Sequence, residues 1–100
     1  MIRTIVALSL ALGLAACGDS TPGPLAGTWQ PDGIESMRTT FRNGETETMG
    51  LIEKVGYTVE GQSVIVTNKD GMMKGSAFRF VMVNPTTAHA LGMTYRKVGN

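Results

Sequence analysis

The sequence predicts an all-β domain, a small antiparallel up-and-down meander that closes into a barrel or a sandwich. Three observations carry that prediction. Short stretches alternate apolar and polar residues with a period of two, as strands with one buried face do. Turn signals separate these stretches at spacings of roughly eight to twelve residues. No amphipathic helical period is present after Pro24.

The strands follow in order. Residues 36–42 place Met37, Thr39 and Phe41 on one face and Arg38, Thr40 and Arg42 on the other. Asn43-Gly44 then supplies a strong hairpin signal. Residues 46–53 form the returning strand, with Gly50 as a bulge. Residues 57–60 alternate again and turn at Gly61-Gln62. Residues 63–67 are β-branched apart from Ser63, which suits a pleated strand. Residues 68–71, Asn-Lys-Asp-Gly, are a turn cluster. Residues 76–83 set Phe78, Phe80 and Met82 against Ala77, Arg79, Val81 and Val83, and Asn84-Pro85 ends that run. Residues 86–90 and 93–98 close the chain, with Gly92 between them. Short connections favour sequential neighbours, and closure removes the exposed edges that would pair with other chains.

Ahead of the domain, Arg3 provides one positive charge before residues 4–16, an uncharged run rich in Leu, Ala, Val and Ile. The run is shorter than the roughly 20 apolar residues that a bilayer span requires. A basic start, a brief apolar stretch and small residues at its end predict a secretory signal-peptide helix over residues 1–16. Leu14-Ala15-Ala16-Cys17 resembles the box of bacterial lipoproteins, a Leu and two small residues before a Cys. The resemblance implies peptidase recognition of Leu14, Ala15 and Ala16 and cleavage after Ala16. It also implies a diacylglycerol thioether on the Cys17 sulfur and an acyl chain, such as palmitate, on its amine. One acyl chain binds a membrane marginally and two or more anchor it stably. Cys17 is the only cysteine, so no intramolecular disulfide can form, and acylation removes a stray thiol. Gly18 follows Cys17, with Asp19 one position later. By the same resemblance this favours the outer membrane, facing the periplasm. Residues 17–24 then read as the lipidated Cys and a flexible tether, and residues 25–100 as one small domain.

Gly27-Thr28-Trp29 in the first strand resembles the Gly-x-Trp opening of lipocalins and of small lipocalin-like bacterial lipoproteins. The resemblance implies that Trp29 plugs one end of a barrel and that Arg96, on the last strand, lies over its ring. This domain is about half the length of a full lipocalin. That implies an interior filled by side chains, without room for a sizeable ligand.

Function is weakly marked. Nine Lys/Arg against eight Asp/Glu give a net charge of +1, which argues against a nucleic acid partner. His89 is the only histidine, and no nucleophile elbow, zincin motif or phosphate loop is present. Glu45, Glu47, Glu53, Glu60 and Asp70 lie in or beside turns, where solvated charge is expected, and their spacing singles out no acid–base pair. The expected function is therefore a non-catalytic, lipid-anchored module that binds another envelope protein, as an inhibitor, an immunity factor or an assembly factor, without a cofactor. The alternative is a periplasmic carrier of copper or of a small ligand. Met72, Met73, His89 and Met93 would supply its soft donors. Packing is the commoner use of Met in a small core.

Overall fold

The structure is a computed structural model that describes residues 20–100. The expected signal peptide, its recognition residues Leu14, Ala15 and Ala16, and Cys17 lie outside the described residues. Eight strands run in chain order around a closed antiparallel barrel. They are β1 (Gly27–Pro31), β2 (Thr39–Arg42), β3 (Glu45–Thr48) and β4 (Leu51–Glu60), then β5 (Ser63–Asn68), β6 (Ala77–Asn84), β7 (Thr87–Ala90) and β8 (Met93–Gly99). Strand β1 pairs with β2 on one side and with β8 on the other, so no strand is left at an edge. The up-and-down order read from the turn spacing is the order observed.

One predicted strand divides. Residues 46–53 are two strands joined by the turn Met49-Gly50, not one strand with a bulge. Both turn residues have positive φ, 55° and 81°, which reverses the chain where a bulge would only bend it. Met37 also departs from expectation. It ends a 3-10 turn, Glu35–Met37, in the loop before β2, and it is exposed.

Alternation sorts the side chains. Trp29, Phe41, Val55, Tyr57, Val64 and Phe80 point inward and are buried. Phe41, Phe80 and Tyr95 stack edge to face, with successive ring centroids 5.2 Å apart. The Tyr57 hydroxyl lies 3.0 Å from the Arg42 carbonyl and 2.9 Å from the Glu45 carbonyl. It donates between them and ties the β2–β3 hairpin to β4.

One end of the barrel is closed. Leu25, in the 3-10 turn Gly23–Leu25, and Trp29 are fully buried there. The Trp29 indole Nε1 donates to the Leu25 carbonyl at 2.9 Å, which satisfies a polar atom that burial would otherwise strand. Residues 20–24, expected as part of a flexible tether, dock on this end. Pro22 is fully buried, and the Gly44 amide donates to the Ser20 carbonyl at 2.8 Å. Gly27 is required by the geometry. Its φ is 121°, and a Cβ there would lie 2.8 Å from the Gly99 carbonyl oxygen.

Candidate functional site

The opposite end is open. The β1–β2, β3–β4, β5–β6 and β7–β8 connections all lie there, because the strands alternate in direction. A cavity of about 180 Å³ opens between them, so side chains fill the closed half of the interior but not this end, where the short chain implied a filled barrel throughout. Eight strands make a barrel wide enough for a small ligand to enter. Phe41, Val66, Phe78, Phe80 and Tyr95 form its apolar lining.

Four polar side chains from β2, β3 and β5 also line the cavity, and they divide into two kinds. The Thr39 and Thr48 hydroxyls satisfy each other at 2.8 Å. Thr46 and Asn68 are only 9% and 6% exposed. Among the described residues neither side chain has a hydrogen-bond partner. The Tyr95 hydroxyl is likewise unpartnered among them, and burial pushes its pKa up. Leaving a buried donor or acceptor unsatisfied costs about 1–3 kcal/mol each. Core positions on neighbouring strands are filled by Val, Phe and Ala, so an apolar residue at 46 or 68 would fit the same wall.

The mouth carries a group of exposed apolar side chains. Met72 is 100% exposed, Met49 72% and Leu91 62%, and Leu51 and Met73 stand beside them. Met49 and Leu91 are the only non-glycine residues with positive φ among the described residues. Each opens a two-residue turn completed by a glycine, Gly50 or Gly92. Asn, Asp or Gly is preferred at such a position, and a large apolar side chain there is strained. The Met72-Met73 loop is held in place. The Lys69 amide donates to the Lys54 carbonyl at 2.8 Å, and Asp70 accepts from the Lys54 amide at 3.2 Å.

The residues singled out from the sequence scatter over the barrel. Glu45 and Glu47 pair with Arg42 at 2.7 and 3.0 Å, which raises the Arg42 pKa. Glu60 pairs with Arg79 at 3.6 Å. Only Glu53 reaches the cavity, at its rim. The four candidate soft donors are not brought to one place but fall into two pairs. Met73 lines the cavity and shares a second depression with Met72, whereas His89, exposed on β7, shares a third with Met93, which also packs against the core. Among the described residues no three His, Cys, Asp or Glu side chains group as a metal site.

Trp29 is buried at the closed end, and Arg96, which the resemblance would set over its ring, is directed elsewhere. Tyr95 and Lys97 take the inward parity of β8, so Arg96 points out and pairs with Asp32 at 3.0 Å. Lys97 is the cross-strand partner of Trp29, and its side chain crosses above Gly27. Sequence reasoning missed Thr46, Asn68, Met49 and Leu91. Asn68 reads as the start of a turn, and neither Met49-Gly50 nor Leu91-Gly92 carries a standard turn residue at its first position.

Fold and site together define a small up-and-down β-barrel with one sealed end and one open, apolar-rimmed end. No protein-family model matches the chain, and no curated protein or solved structure matches it.

Proposed function

We propose that this is a lipocalin-like bacterial lipoprotein, a non-catalytic module held on the envelope through Cys17, that binds a partner protein at the open end of its barrel. The observation that carries this reading is the exposed Met and Leu surface at the mouth, retained on strained backbone at Met49 and Leu91. Exposed apolar patches of this kind mark interaction sites, and flexible Met side chains adapt to a partner surface. Backbone strain persists where function requires it.

Polarity supports the same reading. Ser20 is bonded at the closed end, and Cys17 is three residues earlier, a reach of at most about 11 Å. An anchor at Cys17 therefore keeps the sealed end against the bilayer and turns the mouth towards the periplasm. The carrier reading draws support from the cavity and from Met73 in its lining. His89 opens on another surface and does not add to it.

The test is site-specific photo-crosslinking in intact host cells, with the photoreactive residue placed at Met72 or, as a control, at Val98 on the outer wall near the closed end. The reading predicts one discrete protein adduct from Met72 and none from Val98. No adduct from Met72, or equal adducts from both, would refute it.

A further inference from the structure

The geometry points to a specific occupant of the cavity: one aromatic side chain of the partner protein, bearing a hydrogen-bonding substituent as tyrosine does. This rests on the binding-module reading and adds the chemistry of what enters the barrel.

Three features select that group. The first is size. A cavity of about 180 Å³ is close to the roughly 150 Å³ apolar cavity that accepts benzene, so one ring fits and a long acyl chain does not. The second is shape and polarisation. Phe41, Phe80 and Tyr95 form an edge-to-face series with interplanar angles of 74° and 69°, and Phe78 lines the same space. A further planar ring extends that series favourably. The third is the polar pair. Asn68 offers an amide donor and acceptor, Thr46 a hydroxyl, and among the described residues neither has a partner although each is nine-tenths buried or more. A phenol hydroxyl both donates and accepts, so it can bond to either of them. A plain phenyl ring would leave them unpaired.

The rim decides between a side chain and a free small molecule. A free ring-sized ligand sits within the cavity, where Leu91 can reach it, and leaves Met49 and Met72 in water. A ring carried on a protein brings a surface that covers them as it enters.

The test has two arms. In the first, p-cresol and toluene are titrated into the protein as its host makes it, followed by NMR of the Val66 methyl groups, which line the cavity and are kept in every variant. The inference predicts that p-cresol binds with a Kd on the order of 0.1–1 mM and toluene about five- to tenfold more weakly. Asn68→Leu and Thr46→Val should each reduce that preference. Thr46→Val preserves shape, so it serves if Asn68→Leu does not fold. Binding of p-cresol no tighter than toluene, or a preference untouched by both variants, would overturn the inference. In the second arm the Met72 photo-crosslink is repeated with each variant that melts like the wild type. The adduct should fall severalfold. An unchanged adduct beside an intact p-cresol preference would assign the cavity to a free small aromatic molecule and overturn the partner side chain. Absence of a wild-type adduct with p-cresol binding intact would refute the binding-module reading and the partner side chain with it, and would leave only the cavity's preference for a phenol.

Discussion

Met49 and Leu91 occupy matching positions on opposite sides of the barrel mouth, each first in a two-residue turn and each with φ of 55°. The left-handed region costs a non-glycine residue roughly 1–2 kcal/mol. Both side chains stay exposed, so burial returns little of that cost. The tight turns need this backbone conformation, but placing Met and Leu in it has no evident folding role, whereas a partner covering both side chains gives that choice one.

Relief of that strain should stabilise the free protein. Met49→Asn and Leu91→Asn should each add about 0.5–1 kcal/mol, because Asn tolerates the left-handed region better. For a domain of this size the gain corresponds to a Tm increase of about 2–8 °C. Differential scanning calorimetry checks it, and a fall in Tm for both variants would mean that the turns are not strained.

Trp29→Phe should cost about 2–4 kcal/mol, from lost volume and an unsatisfied Leu25 carbonyl. Arg96→Ala should cost less than about 1 kcal/mol, because its ion pair with Asp32 is exposed. Urea unfolding followed by circular dichroism measures both. A large loss from Arg96→Ala would place the arginine against the indole after all.

Stability should fall steeply above about pH 10. Burial pushes the Tyr57 pKa well above its usual value, so in that range the unfolded chain releases a proton that the folded barrel retains. Fewer protons on the unfolded state make stability decline as pH rises. Tyr95 shifts in the same direction and adds to the slope. Tyr57→Phe loses two carbonyl contacts but should show a flatter profile between pH 9 and 11.5. A profile as steep as wild type would exclude Tyr57 as the cause.

The anchor assignment is tested at Cys17. Cys17→Ser should accumulate as an uncleaved, non-acylated precursor, because the thioether needs sulfur. Metabolic labelling with a palmitate analogue, followed by gel mobility, reads both effects. Label on the variant equal to that on wild type would contradict lipid attachment at this residue.

Most of the architecture was legible because a strand's period of two survives any packing detail. Phe78, Phe80 and Met82 face inward as their alternation requires, and Asn43-Gly44 turns where it should. The split at Met49-Gly50 was not legible, because no propensity favours Met in a left-handed turn. The same rarity that hid the turn marks it as a candidate site once the backbone is known. Arg96 shows a different limit. Its place on the last strand was right, but a shift of one residue changes the face, and only the register of β8 against β1 assigns Lys97 to Trp29. The cavity could not be read at all. Its polar pair comes from β3 and β5, which are not adjacent in the sheet, and closure of eight strands sets the space between them.

The measurement that tests the central claim most directly is the Met49→Asn/Leu91→Asn double variant, scored for both Tm and Met72 photo-crosslinking in intact cells. The account predicts a higher Tm with a severalfold lower adduct yield, since the strained apolar pair is kept for binding. A higher Tm with an undiminished adduct would contradict it, and would leave the open end as a feature of the fold without a role in recognition.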